Sequence, residues 1–595
     1  MTISVIVSLL LFNKDMDAMN GSGLLGIGLV MFATAFIVYG RYLKRVFGVD
    51  PKRECPSHTM RDDIDYCPTP MAVLFGHHFA SIAGAGPIVG PVLAVYLGWG
   101  PAILWIVLGC IFIGSMHDFA AMFLSVRNKG RSVAYTIQNE LGYAGRQIFL
   151  LFCLAALLLV VAVFTSQVAM TFLMTPSVAT ASILFILLAP FFGITIGRKI
   201  LTLTEGSLVF VPLLFVCVWL GTLIPLDLQA LLGCEKGTAE VVWMVVLLYY
   251  ALCASIIPVW VLLQPRDYLN SFLLYAMMLI GIVGIFVASP ALGTPMFAET
   301  PEGSSGPFPM LFVTIACGAC SGFHALVASG TSSKQIDKES HLFPVGYGAM
   351  LVEGILAIIS VISVCYLAPG DFSSLLGQLS SGKVSAAGAF AKGLAHFSVS
   401  LGIPYNFGLT FISLAISAFM LTSLDTATRL CRFVWQELVL PPERDDAGKD
   451  AVKPVSKTRE ILANRWFGTV LVVILAGWLA LSGNGNVIWP VFGASNQLLA
   501  ALTLLAVTLW LMRSKRPVLF AMLPMLFMLI ISVWALIKLM IGKSKALMEG
   551  IHAGEAAKAF HAQGTLLLVS VILLVLAIWL VILGAKKMMA TRKSN

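Results

Sequence analysis

Long apolar stretches separated by short polar segments run through nearly the whole chain. Each approaches the ~20 residues that a helix needs to cross about 30 Å of hydrocarbon. The pattern therefore predicts an all-α, polytopic helical membrane protein with about fifteen spans, within limits of about fourteen to eighteen. The spans are expected at roughly 22–43, 72–98, 100–125, 147–166, 179–195, 205–224, 240–263, 271–289, 309–330, 346–367, 406–427, 466–482, 488–511, 517–537 and 564–585.

The stretch at 72–98 is interrupted where a membrane helix is usually most regular. Its segment GHHFASIAGAGPIVGP, from Gly76 to Pro91, contains two adjacent histidines, one serine, four glycines and two prolines. Unwound backbone within hydrocarbon survives only where protein or a watery cavity surrounds it. Broken helices of this kind form the binding sites of many secondary transporters. The segment therefore predicts a solute site.

Composition narrows the class of protein. Hydrophobic residues make up 59% of the chain and charged residues 11%, against about a quarter charged in a soluble domain. The net charge of +9 is assigned to loops that set membrane orientation, so no nucleic-acid partner is expected. The eleven cysteines are scattered through apolar stretches, which favours packing roles over disulfides or a metal site. The apolar start lacks a basic region and a cleavage site, so no removable signal peptide is expected.

Basic residues orient the spans. If the N-terminus is outside and 384–402 does not cross, about 30 of the 38 lysines and arginines lie on the cytoplasmic side. The polar loop 428–465 and the C-terminus are then cytoplasmic, as the positive-inside rule requires. We therefore expect 384–402 to be re-entrant or to lie along the interface. Residues 2–13 are too short to cross alone.

A second segment resembles the first. His78 and His324 are each followed six residues later by glycine, with small residues between. The two spans, 72–98 and 309–330, are seven apart in the count, so their orientations are opposite, as an inverted repeat requires. Both are expected to be discontinuous, near Gly84–Pro87 and Gly330–Ser333. Chance matching of small residues that serve helix packing is the alternative. We expect one transporter domain over 1–595. It consists of a core at 22–427 with two inverted halves, a cytoplasmic loop at 428–465 and C-terminal spans at 466–595.

Nine residues of the two interrupted segments carry chemistry suited to substrate binding: His77, His78, Ser81, Gly84 and Gly86 in the first, and Ser321, His324, Ser329 and Thr331 in the second. Imidazole titrates near neutrality and can pair with a carboxylate. Glycine and proline break the helix and leave half-helix N–H groups that attract anions. Adjacent helical residues face about 100° apart, so at most one of the adjacent histidines is expected to face substrate. A packing role for these residues is the alternative.

Ionisable residues inside spans are costly and usually functional. The candidates for proton coupling or gating are His117, Asp118, Glu353 and Asp425. Asp118 and Asp425 each precede an arginine, Arg127 and Arg429 respectively, so a structural salt bridge is the alternative for both. The polar pair Asn496 and Gln497 is too rich in donors to face lipid and is expected to bond across helices or to touch substrate or ion.

The motifs GHHFASIAGAGPIVGPVLA, GWGPAILWIVLGCIFIGSMHDFAAMFLSVRNKGRS, SGFHALVASGTSSKQI, LTSLDTATRLCRF and GASNQLLAAL resemble those of the carbon-starvation (CstA) family of bacterial inner-membrane transporters. The resemblance extends to about residue 510. It implies a secondary carrier of the amino acid–polyamine–organocation superfamily that imports pyruvate with protons, and peptide uptake is attributed to the family as well. It also implies that the protein is a multi-pass component of the inner membrane.

We therefore expect a proton symporter of a small carboxylate, pyruvate, that works by alternating access and requires no cofactor. A peptide or amino acid importer, with sodium as coupling ion, is the alternative. An intramembrane metalloenzyme is not expected, because no His-Glu-x-x-His sequence is present. A kinase-coupled sensor is not expected, because no predicted cytoplasmic loop is long enough to form a soluble output domain. A channel is not expected either, because channels seldom need broken helices. The oligomeric state is left open.

Overall fold

The computed structural model describes residues 19–62, 66–258, 261–298, 307–367, 377, 379, 384–440, 456–482 and 485–594. Within these ranges the chain is helical, with three isolated bridges and no strand. The predicted all-α membrane fold is confirmed. The segment 2–13 and the stretch 441–455 of the predicted loop lie outside the described residues.

Among the described residues, twelve helices are long and apolar enough to cross a membrane, and one bent pair adds a thirteenth. The predicted number of about fifteen is not confirmed, since 465–481 is a shorter helix and 309–330 is broken into pieces. The main helices are α1 (Gly21–Phe47), α2 (Met71–Ile82), α3 (Gly86–Ala94), α4 (Trp99–Arg127), α5 (Val133–Met174), α6 (Pro176–Gly197), α7 (Leu203–Leu223), α8 (Lys236–Ile256), α9 (Leu263–Ala288), α10 (Pro307–Thr314), α11 (Ala316–Ala319), α12 (Gly322–Gly330), α13 (Glu339–Leu367), α14 (Ala386–Val399), α15 (Tyr405–Val439), α16 (Arg465–Leu481), α17 (Gly485–Arg513), α18 (Leu519–His552) and α19 (Thr565–Ser594). The short helices between them are Pro56–Thr59, Leu228–Leu232, Lys457–Leu462 and Ala556–Ala559.

Local sequence explains several helix boundaries. The Asn20 side chain accepts a hydrogen bond from the Gly23 N–H at 2.9 Å and starts α1, which ends at Gly48 in the left-handed conformation. Thr202 and Glu205 form a reciprocal capping box at the start of α7. Such caps satisfy N–H and C=O groups that a helix leaves unpaired at its ends.

Several helices extend past their predicted boundaries, and buried polar side chains account for two of these extensions. α15 continues to Val439, so the first part of the predicted loop 428–465 is helical. The buried Arg429 and Arg432 of this extension donate to backbone carbonyls of a neighbouring helix end, which removes the need for apolar residues there. α9 begins at Leu263 and not near 271, for the same reason: its polar first turns are buried against protein.

The segment predicted not to cross, 384–402, forms the 14-residue helix α14. At 1.5 Å per residue it is about 21 Å long, which is short of the hydrocarbon thickness. One face is buried against α3, α9, α13 and α15. This length agrees with a re-entrant or interfacial position, and the sidedness of the chain stays a prediction.

Burial separates central helices from peripheral ones. In the most apolar stretch of α15 and of α17, 89% of residues are buried, against 33% in α7. Apolar side chains on α6, α7, α18 and α19 are exposed, as lipid contact requires. α17 packs against α12 and α5, so it belongs to the centre although it lies outside the predicted core 22–427.

Candidate functional site

The first interruption lies where the sequence predicts it. α2 ends at Ile82, α3 begins at Gly86, and the two axes are bent by 44°. A Cβ added at Gly86 would overlap the side chain of Cys317, and one added at Gly84 would overlap that of Ser423. These glycines therefore let the broken segment approach both α11 and α15 more closely than any other residue would.

The second interruption lies beside the first, but its position was predicted wrongly. The backbone is extended at Cys320 and Ser321, between α11 and α12. The prediction placed the break near 330–333, where α12 merely ends. Aligning the two segments on His78 and His324 caused the error, because the histidine precedes the break in one segment and follows it in the other.

Hydrogen bonds occupy part of both half-helix starts. The Phe323 N–H at the start of α12 donates to Asn496 Oδ1 at 2.9 Å, and Asn496 Nδ2 donates to Ser321 Oγ at 3.0 Å. At the start of α3, Pro87 has no N–H, while those of Ile88 and Val89 donate to the Ala85 carbonyl. The half-helix starts thus offer fewer free donors than the sequence suggested.

The polar pair on α17 bonds across helices, as predicted. Asn496 Nδ2 also donates to Cys317 Sγ at 3.2 Å. Gln497 Nε2 donates to the Phe312 carbonyl in α10. Both side chains are buried and hold the second interrupted segment in place.

Four titratable side chains meet inside the bundle: His117, Asp118, His324 and Glu353, here called the buried quartet. Asp118 accepts hydrogen bonds from His117 Nδ1 at 2.7 Å and from His324 Nδ1 at 2.9 Å. His324 Nε2 lies 3.5 Å from Glu353 Oε2. All four side chains are fully buried. They come from three separate elements, α4, α12 and α13.

Two π-helical turns adjoin the buried quartet. One, Cys110–Gly114, precedes Asp118 in α4, and the other, Phe343–Gly348, precedes Glu353 in α13. The Tyr347 hydroxyl donates to the Ile111 carbonyl at 3.2 Å and joins them. Such turns change the direction in which the following side chains point, and they often occur at functional sites. No sequence signal pointed to them.

The two adjacent histidines face different ways, as predicted. His78 is fully buried, and its Nδ1 lies 2.8 Å from Ser332 Oγ. His77 lines a small cavity, where its Nδ1 lies 3.4 Å from Asp267 Oδ2. Ser81 lines the same cavity and donates its hydroxyl proton to the His77 carbonyl at 2.8 Å.

Asp425 is paired with an arginine that sequence reasoning missed. Its Oδ2 contacts Arg266 Nη1 and accepts from the Tyr250 hydroxyl at 2.8 Å. Arg266 Nη2 lies 3.1 Å from Asp267 Oδ1. We call these four residues the arginine cluster. Arg266 and Asp267 precede the predicted span 271–289, whereas α9 begins at Leu263, since a proline such as Pro265 is tolerated in a first helical turn.

The alternative salt bridges suggested by the sequence are not formed. Arg429 Nη2 donates to the Ala254 and Ile257 carbonyls at 3.0 and 2.6 Å, although it lies one turn from Asp425. Arg127 pairs with Glu339 at 2.7 Å, far along α4 from Asp118. Neither carboxylate is therefore neutralised by the arginine that follows it in sequence.

The remaining predicted residues serve the second segment. Ser329 Oγ accepts from the Val133 N–H at 3.3 Å, and Thr331 Oγ1 donates to the Val327 carbonyl at 2.9 Å. Each also lines a cavity. Across the described part of the chain, no group of three or more histidine, cysteine or acidic side chains is arranged to hold a metal ion.

Two cavities adjoin one another beside the interrupted segments. The smaller, of ≈40 Å³, is the inner cavity, and its walls include His77, Ser81, Asp267, Thr331, Lys334 and Arg429. The larger, of ≈350 Å³, is the vestibule. They share wall residues Gly330, Lys334, Leu430 and Phe433, so the inner cavity continues into the vestibule.

A family model described as carbon starvation protein CstA matches residues 20–383 and 377–535. A Campylobacter jejuni protein named peptide transporter CstA is 33% identical over 82% of this chain and 76% of its own length. An Escherichia coli protein named pyruvate/proton symporter BtsT is 30% identical over 90% of this chain and 84% of its own. A solved Eremococcus coleocola manganese transporter is 13% identical over 89% of this chain and 99% of its own length, with a TM-score of 0.46.

Proposed function

This chain belongs to the carbon starvation protein CstA family, and from that premise we propose that it imports pyruvate by proton symport through alternating access. As a member of the family it is a secondary transporter and a multi-pass protein of a bacterial membrane. The observation that carries the proposal is the buried quartet of His117, Asp118, His324 and Glu353. It supplies several proton-accepting groups in a dry region beside both interruptions.

Protonation of the quartet would change how the helices are held together. His324 on α12 contacts Asp118 on α4 and Glu353 on α13. Two ionised carboxylates near one another in a region of low dielectric repel strongly unless protons or cations compensate them. Uptake or loss of a proton therefore alters the attraction between the second interrupted segment and the helices around it. A ligand that binds one arrangement better shifts the population toward it.

The inner cavity supplies the carboxylate site in this proposal. His77 and Lys334 bring an imidazole and an ammonium to its wall. Charge-assisted hydrogen bonds from such groups are the strong ones in proteins. The Ser81 and Thr331 hydroxyls line it too, but their protons are donated to backbone carbonyls, so they present acceptor oxygens. Its ≈40 Å³ corresponds to about three water molecules, which favours a ligand of few heavy atoms. Asp267 of the arginine cluster lies in the same wall, and its carboxylate oxygen Oδ1 contacts the buried Arg266.

Import of peptides or amino acids is the second candidate. The vestibule of ≈350 Å³ is larger than the inner cavity, and its basic side chains would pair with the carboxylate of a peptide. Glu437, which accepts from Ser132, would have to exchange that partner for the amino end. The Campylobacter relative is named a peptide transporter. Sodium is the alternative coupling ion, because Ser423 beside Gly84 and Asn270 beside Thr422 each have a buried oxygen with no hydrogen-bond partner among the described residues.

We also infer the membrane and the sidedness. The basic loops 128–131 and 513–516 lie at the end of the bundle to which the vestibule opens, and the positive-inside rule makes that end cytoplasmic. The protein is then an inner-membrane carrier with a cytoplasmic C-terminus and a vestibule that opens toward the cytoplasm. No cofactor is required by this mechanism.

Uptake into proteoliposomes tests the proposal. Labelled pyruvate should accumulate above equilibrium when the outside is acidified and should exchange in counterflow without a gradient. Excess dialanine, used as a competitor, should leave uptake unchanged. Inhibition by dialanine together with uptake of labelled dialanine would favour the peptide candidate. Accumulation that follows a sodium gradient at constant pH would refute the proton as the coupling ion.

A further inference from the structure

The described wall of the vestibule has an excess of basic side chains. Among the residues that the structure describes, Arg131, Arg146 and Lys334 line it, against the single carboxylate of Glu437. That carboxylate is already engaged, since its Oε2 accepts from Ser132 Oγ at 3.1 Å and lies 3.7 Å from Arg146 Nη2. A concave surface with such an excess raises the local concentration of anions.

Arg146 has a donor left over. Its side chain is only 8% exposed. Nη2 donates to the Glu437 backbone carbonyl at 3.1 Å, whereas buried Nη1 has no hydrogen-bond partner among the described residues. A buried guanidinium N–H left unpaired costs free energy, and a fork of such donors matches a carboxylate. Arg146 lines the vestibule, but Nη1 is shielded from solvent, so a carboxylate in the vestibule pairs with this donor once the guanidinium turns toward the cavity.

Lys334 stands where the two cavities meet. It lines both of them. Its ammonium lies 5.3 Å from the centre of the Tyr66 ring and 6.0 Å from that of Phe433, and no carboxylate within the described ranges is paired with it. An anion that leaves the inner cavity passes this ammonium before it reaches Arg146.

We propose that the vestibule is a second carboxylate-binding site, in which Arg146 and Lys334 hold the substrate after it leaves the inner cavity. This rests on the proposed function, because it assumes that the transported solute carries a carboxylate. Release then proceeds by transfer from one cationic site to the next, and a second molecule can bind while the protein faces inward. Glu437 keeps the guanidinium of Arg146 beside the vestibule and is a positioning residue.

Equilibrium binding to the purified full chain tests the second site, with labelled pyruvate and labelled dialanine run in parallel. Wild type should bind a second equivalent. Arg146→Gln should weaken one site by roughly tenfold to a hundredfold and leave the other unchanged, and Arg146→Lys should weaken it less. Lys334→Gln should weaken both sites, because its ammonium lines both cavities. If Arg146→Gln folds poorly, the smaller loss in Arg146→Lys, confined to one site, is the test. Arg198→Gln removes a surface arginine outside both cavities as a control.

The outcomes separate this inference from the proposed function. A single pyruvate site whose affinity Arg146→Gln leaves unchanged would overturn the second site and leave pyruvate transport standing. Binding of dialanine but not pyruvate, with loss of one site in Arg146→Gln, would refute pyruvate as substrate and support the vestibule site. Absence of binding by either ligand would overturn both.

Discussion

Nδ1 of His324 lies 2.9 Å from Oδ2 of Asp118, and this bond joins the second interrupted segment to α4 in the buried interior. Asp118 also accepts from its neighbour His117. A carboxylate removed from water needs such partners, because an isolated buried charge costs several kcal/mol. The pairing therefore makes the position of α12 dependent on the protonation of the groups around Asp118.

Asp118→Asn should uncouple transport. The amide keeps the shape of the side chain but neither ionises nor accepts a proton at neutral pH. Accumulation of pyruvate driven by a pH gradient should fall to the equilibrium level, while counterflow should persist in part because substrate binding does not require this carboxylate. Uptake and counterflow by the same proteoliposome preparation measure both.

Glu549→Gln is the matched control for that substitution, since Glu549 is exposed near the end of α18 and far along the chain from the quartet. It should accumulate pyruvate like wild type. Fully concentrative uptake by Asp118→Asn, especially if driven by sodium, would show that Asp118 does not carry the coupling proton.

The adjacent histidines should respond differently to alanine. His77→Ala removes a polar group from the inner cavity and should weaken pyruvate binding by about 1.5–3 kcal/mol, the scale of a hydrogen bond to a charged group. His78→Ala removes a buried bond to Ser332 and should mainly lower the unfolding free energy, by about 1–3 kcal/mol. Binding and thermal unfolding of both variants, measured in one detergent, check this. The reverse assignment of the two effects would move the site to the His78 side of α2.

Arg266→Gln should destabilise the protein by about 3–5 kcal/mol, because it leaves the buried carboxylates of Asp425 and Asp267 without their cation. Adding Asp425→Asn should restore part of the loss, since it removes one uncompensated charge. A double-mutant cycle on denaturant-induced unfolding measures the coupling. His58→Gln is the comparison: its side chain is 42% exposed and that of its partner Asp337 is 29% exposed, so solvent screens the loss and the effect should be smaller. Additive effects in the cycle would contradict a paired cluster.

The first interruption was predictable because its cause is local. Glycine and proline in Gly84–Pro87 disfavour a continuous helix whatever surrounds them. The second interruption at Cys320–Ser321 has no proline, and it is held open by Asn496, which lies far away in sequence. A matching pattern of histidine and glycine therefore located the segment but not the break.

The buried ion pairs could be predicted only in part. Ionisable residues such as Asp118, Glu353 and Asp425 are conspicuous in apolar stretches. Their partners are set by helix packing, so the nearest arginine in sequence, Arg429 for Asp425, was the wrong choice. Arg266 lies at the start of a helix and was placed outside the span, because sequence alone does not show that protein, and not water, surrounds that turn.

Gly86→Ala should be destabilising because the added Cβ would overlap the Cys317 side chain and force the two interrupted segments apart. Overpacking of this kind costs about 1–3 kcal/mol, and transport should slow as well. Gly542→Ala is the control: it adds a Cβ in α18 with no heavy atom within 4 Å and should stabilise that helix by up to about 1 kcal/mol. Unfolding in detergent compares them. Equal effects would mean that the two segments do not touch as described.

The ends of α15 should face opposite sides of the membrane. Val399, 49% exposed, lies just before this helix, and Ile461, 65% exposed, lies in the short helix that follows it. Because the 35 residues of α15 span about 52 Å, the two positions cannot share a surface. In intact cells an impermeant thiol reagent should label Val399→Cys and spare Ile461→Cys, which should react only after permeabilisation. Protein without an added cysteine corrects for the native thiols. Labelling of Ile461→Cys from outside would reverse the orientation and place the vestibule on the exterior.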